Sequence, residues 1–153
     1  MTTIKYHNGN TTVTIEPDGT KVREYFEEPL INFPESIDVK ITDYCNLGCQ
    51  YCHESSTLKG KHGDLLRLLD VLEELPAGVE LAIGGGNPLA HPGLLEFLKN
   101  IKSRGLIANL TINQGHLQEY EEFIVSLINS DLVKGVGISI TSNNFKYIQR
   151  FKK

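Results

Sequence analysis

The chain has 153 residues, of which 40% are hydrophobic and 22% charged, with 19 Asp and Glu against 15 Lys and Arg for a formal charge of -4. That length supports one buried core, the composition excludes wholesale disorder, and a mildly acidic chain without a block of basic residues lacks the footprint of a nucleic-acid binder. Apolar runs as short as Leu81-Ala82-Ile83 do not span a bilayer, and Met1-Thr2-Thr3-Ile4-Lys5 carries no apolar signal core, so a cytoplasmic protein without membrane contact is expected.

Residues 11–25 hold two alternating β-prone runs around Pro17-Asp18-Gly19, where glycine supplies the positive φ of a short turn, and they predict an N-terminal β-hairpin. Residues 27–35 contain Pro29 and Pro34 among acidic neighbours and read as a linker. The hairpin and linker form a first unit over 1–35, and a second unit covers 36–153. There strand and helix alternate. Ile37 to Thr42 alternates with period two, and residues 64–75 place Leu65, Leu68, Leu69 and Leu72 at helical spacing behind Asp64, a capping acid. A strand over 79–83 precedes a helix over 92–104 with Leu94, Leu95, Leu98 and Ile101 on one face, closed by Gly105. A strand over 107–112, a helix over 119–128, a strand over 136–140 and the start of a fourth helix over 143–153 complete the pattern.

Four strand-then-helix units of about 30 residues each predict an α/β fold, a parallel sheet with right-handed crossovers forming a TIM-barrel-like partial (βα) barrel of about four units. In such sheets chemistry sits at the carboxyl ends of the strands. Cys45 to Cys52 follows the first strand, Gly84 to Pro88 the second, Asn113-Gln114-Gly115 the third, and Ser139 to Ser142 closes the fourth. These loops are expected on one rim.

All three cysteines fall between positions 45 and 52. An odd set so closely spaced is not a disulfide framework, and in a reducing compartment its thiolates stay free to bind metal. The run Cys45-Asn46-Leu47-Gly48-Cys49-Gln50-Tyr51-Cys52 has the spacing C-x3-C-x2-C. Three thiolates so placed suit one corner of a [4Fe-4S] cubane and leave one iron open to another ligand. The alternative is a zinc site, since His53 follows Cys52 and three cysteines with one histidine are a common zinc set.

This motif, with aromatic Tyr51 before the last cysteine, resembles that of the radical S-adenosylmethionine (radical SAM) superfamily. Gly84-Gly85-Gly86-Asn87-Pro88 is similar to that superfamily's Gly-Gly-Glu-Pro segment, and Leu89-Ala90-His91-Pro92 continues in the same manner. The resemblance implies that Cys45, Cys49 and Cys52 bind three irons of a [4Fe-4S] cluster and that S-adenosyl-L-methionine chelates the fourth. It further implies that an electron from an external donor breaks the C5'–S bond of the cofactor, giving a 5'-deoxyadenosyl radical that takes hydrogen from a substrate. Gly84, Gly85, Gly86 and Asn87 are assigned in this way to the cofactor's amino group, Asn113 and Ser139 to its ribose or carboxylate, and Tyr51 to the neighbourhood of its adenine. Glycines suit the role because no Cβ intervenes between backbone and ligand. Asn87 departs from the family pattern, keeping an acceptor but lacking the charge that favours an ammonium group.

His53, His62 and His116 lie near these loops and are candidates for proton transfer, with a solvated loop position as the alternative for each; His91 reads as a capping residue at a helix start. From residue 36 about 120 residues remain, against about 250 for an eight-unit barrel. Units five and six are therefore expected to be absent, an edge strand to lie unpaired, and the chain to dimerise or join a complementing second half. A noncatalytic cluster-bearing half and a zinc-binding interaction domain are the alternatives to an enzyme. The substrate is not legible.

Overall fold

The computed structural model describes residues 3–141. Its first sheet is antiparallel, with β1 (Ile4–Asn8), β2 (Thr11–Ile15) and β3 (Lys21–Glu24) in the order β1-β2-β3. The β2–β3 pair is the expected hairpin: Gly19 takes φ 92 in its turn, and Asp18 Oδ1 accepts from the Thr20 N–H at 2.8 Å. Strand β1 lies outside that expectation and is fixed by its register on β2, from Ile4 opposite Ile15 to Asn8 opposite Thr11. The linker is also pinned. Asn8 is fully buried, its Oδ1 accepting from the Asn32 N–H at 2.8 Å and its Nδ2 donating to the Phe33 carbonyl at 2.8 Å. Glu35 closes the segment on Arg23 at 2.6 Å, which holds its carboxyl below the usual range.

The second sheet contains β4 (Ser36–Thr42), β5 (Glu80–Gly85), β6 (Ile107–Asn113) and β7 (Gly135–Ser139) in the order β4-β5-β6-β7, every pair parallel. Helices α1 (Leu65–Val71), α2 (Leu94–Ser103) and α3 (Leu117–Asn129) alternate with these strands. This is the α/β arrangement the periodicity predicts, and it is consistent with a partial barrel. Among the described residues β7 pairs with β6 alone, and no helix is long and apolar enough to cross a membrane. The helix expected over 143–153 lies outside the described residues.

Strand alternation decides which face is buried. Val39 and Ile41 of β4, Leu81 and Ile83 of β5, and Leu110 and Ile112 of β6 pack with the helices in one core, while Ser36, Asp38, Lys40 and Thr111 stay exposed on the other face. Helix α1 starts as expected, Asp64 Oδ1 accepting from the N–H groups of Leu66 and Arg67 at 3.1 Å, but it ends at Val71, short of 75. In α2 the buried stripe is Leu94, Phe97, Leu98 and Ile101, the i, i+3, i+4, i+7 spacing of one face, so Leu95 is 41% exposed and Phe97 takes the expected core position. Gly105, at φ 72, closes the helix as predicted: its N–H donates to Lys102 O at 3.0 Å, and the Leu106 N–H reaches Ile101 O at 3.1 Å.

The small sheet covers the amino ends of the parallel strands. Val13 and Ile15 pack on Ile107 at the start of β6, Lys21 Nζ pairs with Glu80 at the start of β5 at 2.8 Å, and a Cβ on Gly78 would strike the Tyr6 ring. The carboxyl ends are left clear.

Candidate functional site

Beyond β4 the chain forms a loop held by its own backbone. Asp43 N–H donates to Lys61 O at 2.9 Å, Thr57 N–H to Asp43 O at 3.1 Å, and Cys45 N–H to Thr57 O at 3.0 Å. This stem closes an inner loop that carries all three thiols: Cys45 buried, Cys52 half-buried and Cys49 exposed. The Cys52 N–H donates to Cys49 O at 3.2 Å, turning the chain between them. Two of the thiols already meet a nitrogen. The Ser56 N–H donates to Cys52 Sγ at 3.4 Å, and His116 Nε2 lies 3.7 Å from Cys45 Sγ. Among the described residues no three His, Cys, Asp or Glu side chains converge as a preformed metal site. Three sulfur donors on one loop nevertheless match the chemistry of iron–sulfur ligation.

The end of β5 crosses the stem of this loop. Gly86 N–H donates to Thr42 O at 2.8 Å and Asn87 N–H to Tyr44 O at 2.7 Å. Side chains at Gly85, φ 117, and Gly86 would drive into the carbonyls of Thr42 and Tyr44 respectively. Packing against the cysteine loop therefore requires both glycines. Gly84 differs, because a Cβ there finds Thr111 Cβ at 3.8 Å and nothing nearer. Asn87 is fully buried and its Oδ1 accepts from the Leu89 N–H at 3.2 Å, capping the 3-10 turn Pro88–Ala90. Tyr120 stands close by: burial foremost raises its phenol pKa, and the Asn87 amide opposes that rise.

The turn after β6 completes the cluster of loops. Asn113 Oδ1 accepts from the Gly115 N–H at 2.9 Å and from Thr141 Oγ1 at 3.3 Å, and Gly115 lies against the Leu47 side chain of the cysteine loop. His116 follows at zero exposure, burial lowering its pKa and Glu119 opposing. Asn113 neighbours Ser139 across the β6–β7 pair, where Ser139 is exposed.

The structure thus brings together Cys45, Cys52, the segment Gly84 to Asn87 and the turn at Asn113, with Ser139 on the next strand. Tyr51 is 90% exposed on the surface of the loop. His53 is exposed beside Glu54 at 3.5 Å. His91 is a clip, its Nε2 3.0 Å from Gly63 O and its Nδ1 accepting from the Gly93 N–H at 3.0 Å, which agrees with a capping residue. His62 shares a 2.9 Å hydrogen bond with Thr42 Oγ1. His116 is the departure, buried against a cysteine, where a solvated loop histidine is the alternative reading of the sequence. Lys40 and Ser56 are additions: Lys40 Nζ bridges Asp43 at 2.6 Å and Glu54 at 2.7 Å, and those hydrogen bonds raise its pKa. Period two along β4 already puts Lys40 on the open face; for Ser56, one hydroxyl in a Ser-Ser-Thr run, the sequence has no signal.

A family model described as the radical SAM superfamily matches residues 39–153. Curated proteins similar to the chain include the GTP 3',8-cyclase of Alkaliphilus oremlandii, 34% identical over 114 residues that make up 69% of this chain and 34% of that protein. The GTP 3',8-cyclase of Alkaliphilus metalliredigens is 35% identical over 123 residues, 73% of this chain and 37% of that protein. A tungsten-containing aldehyde ferredoxin oxidoreductase cofactor-modifying protein of Pyrococcus furiosus is 30% identical over 81 residues, 49% of this chain and 22% of that protein. The chain spans about a third of the length of the cyclases it matches.

Proposed function

The chain belongs to the radical SAM superfamily, and on that premise we propose that it is a radical SAM enzyme, or the cofactor-binding portion of one, holding a [4Fe-4S] cluster on Cys45, Cys49 and Cys52 and S-adenosyl-L-methionine against Gly84 to Asn87. When bound, the cluster and S-adenosyl-L-methionine would supply reductive cleavage of the C5'–S bond and hydrogen abstraction from a substrate, the electron coming from an external donor. The protein's part is to bind, orient and exclude water. Cys45 anchors the buried side of the loop, Gly85 and Gly86 let β5 close on its stem, and Gly84 keeps a cradle open above the strand. Asn87 offers an amide in place of a carboxylate, Asn113 and Ser139 offer polar groups on the neighbouring strands, and Tyr51 is free to close over an adenine.

One observation carries this reading. All three thiols sit on one loop whose stem is hydrogen-bonded to the glycine segment, Gly86 N–H to Thr42 O at 2.8 Å and Asn87 N–H to Tyr44 O at 2.7 Å, so sulfur donors and a glycine-rich strand end are held side by side.

The relatives' names cover a GTP cyclase and a cofactor-modifying protein. Their likeness supports shared cofactor chemistry and leaves the substrate open. Three free thiols suit a reducing compartment, the cytoplasm. For the outer edge of β7 the reading is a second copy or a complementing half; a strictly monomeric protein at high concentration with β7 amides protected from exchange overturns that part.

The test is anaerobic reconstitution with iron and sulfide, then electron paramagnetic resonance of the reduced protein with and without S-adenosyl-L-methionine. A cluster signal that changes on adding the cofactor supports the enzyme reading. A cluster indifferent to it marks a noncatalytic half. The second reading, zinc on the three cysteines, gains from the 3.7 Å approach of His116 to Cys45, which makes His116 the fourth donor in place of exposed His53. It predicts a colourless protein with one zinc per chain.

A further inference from the structure

We propose that His116 is a positioning residue for the iron–sulfur cluster, its Nε2–H donating to the Sγ of Cys45 and so raising the reduction potential of the cluster held there. The inference rests on the cluster reading above. His116 and Cys45 are 71 residues apart in sequence, and the fold sets Nε2 3.7 Å from Sγ. Nothing about the placement is loose: Asn113 caps the turn, Gly115 abuts Leu47 of the cysteine loop, and the ring meets Tyr120 edge-on at 6.3 Å and 81°.

The direction of the hydrogen bond follows from the sulfur. A ligating thiolate has no proton to give, so Nε2 must carry the hydrogen, and Nδ1 is then a bare acceptor. Nδ1 is the ring atom that has no partner in the protein. A buried acceptor left unpaired is tolerated more often than a buried N–H, so the observed environment selects the tautomer the bond needs.

Reduction adds one negative charge to the cluster and its ligands. An N–H dipole aimed at a sulfur in a water-excluded setting stabilises that added charge more than the oxidised state, and hydrogen bonds to the sulfurs are a recognised determinant of cluster potential. The three ligands are unequal in this respect. Among the described residues Cys52 accepts from the Ser56 backbone, Cys49 is exposed, and only Cys45 meets a side-chain N–H. A side chain can be replaced without breaking the loop.

The full chain is reconstituted, and the cluster's midpoint is read by paramagnetic-resonance-monitored redox titration without S-adenosyl-L-methionine. His116→Leu removes the donor, and His116→Gln carries an amide nitrogen near the Nε2 position. The expected result is that His116→Leu lowers the reduced-to-oxidised ratio about tenfold at fixed solution potential, about 59 mV for one electron, while His116→Gln stays near the wild type. In wild type carrying 15N-histidine, pulsed resonance of the reduced cluster is expected to show a weak 15N coupling that both variants lose. A His116→Leu midpoint equal to the wild type, a wild-type cluster without 15N coupling, or a coupling strong enough for nitrogen bonded to iron overturns the inference. If neither variant takes up iron, the wild-type coupling decides. If the wild type itself forms no cluster, the reading under Proposed function falls and takes this one with it; if the cluster forms and responds to the cofactor, a negative result overturns the role of His116 alone.

Discussion

The Asn87 N–H donates to the carbonyl of Tyr44 at 2.7 Å, one residue before the first cysteine. With the 2.8 Å bond from Gly86 to Thr42, it makes the glycine segment and the stem of the cysteine loop one unit. Whatever moves one segment moves the other, so substitutions in the glycines divide into those that disturb the loop and those that disturb only a ligand.

Gly86→Ala belongs to the first kind. Its Cβ would press on the Tyr44 carbonyl and come to 3.0 Å from Ser56 Cβ, and the Tyr44 backbone, held by the Asn87 N–H, has little room to give. Overpacking of this sort costs about 1–3 kcal/mol, and each kcal/mol lowers the melting temperature by about 2–4 °C at this chain length. Thermal denaturation of the metal-free protein and its iron content after reconstitution should fall together. A variant that melts with the wild type and takes up full iron would show that the stem does not position the thiols.

Gly84→Ala belongs to the second. The added methyl meets open space apart from Thr111, and alanine is the better strand residue by about 0.5–1 kcal/mol, so the metal-free protein should melt no lower than the wild type. The cluster should load normally. Affinity for S-adenosyl-L-methionine, titrated through the change in the cluster's resonance signal, should drop about tenfold or more, about 1.4 kcal/mol, because the methyl occupies the cradle. Unchanged affinity would remove Gly84 from the cofactor site.

Asn87 caps the Pro88–Ala90 turn and is proposed to face the cofactor, and two variants separate the two roles. Asn87→Ala removes the acceptor that caps Leu89 and should cost about 1 kcal/mol in thermal or denaturant unfolding. Asn87→Asp keeps the cap and introduces a carboxylate at a fully buried position. Desolvation of that charge should make the metal-free variant less stable than the wild type at neutral pH, the loss easing as pH falls and the carboxyl protonates. If Asn87 faces the cofactor's ammonium, S-adenosyl-L-methionine should stabilise the aspartate variant by more than it stabilises the wild type. Equal stabilisation would confine Asn87 to its cap.

How far these features were legible depends on the reach of the interaction behind each. Asp64 as a cap and Gly105 as a helix stop act within a few residues, and both are evident from the residue types. The period-two alternation of residues 37–42 is a local signal of the same kind, and Val39 and Ile41 lie on its buried face. In α2 the adjacent leucines drew the face one position off: Leu95 follows Leu94, but only Phe97 completes the 3.6-residue stripe. Strand β1 alternates over Ile4-Lys5-Tyr6-His7, a run too short to stand out, and its register is fixed by pairing with β2. Gly85 and Gly86 read as ligand-approach residues, yet carbonyls of another segment exclude a side chain there, a constraint visible only once the two segments touch. His116 is the longest reach of all, since its burial against Cys45 depends on a contact across 71 residues.

His62 gives a pH dependence independent of the thiols. Its ring shares a hydrogen bond with Thr42 Oγ1 and faces His91 at 4.8 Å and Tyr44 at 5.6 Å, and burial first, then the charge of His91, lowers its pKa below the ordinary 6.5. The unfolded chain therefore takes the proton more readily than the folded one. The contribution of neutral His62 is complete above about pH 6.5 and is lost as pH falls toward the lowered folded value, so stability should decline on that side. Nuclear magnetic resonance of the His62 ring should show a midpoint below 6.5, and His62→Gln should flatten the slope of melting temperature against pH between about 5 and 7. A His62 midpoint at or above 6.5, or a slope unchanged in the variant, would mean that neither its burial nor its edge-on contact with His91 penalises the charged form.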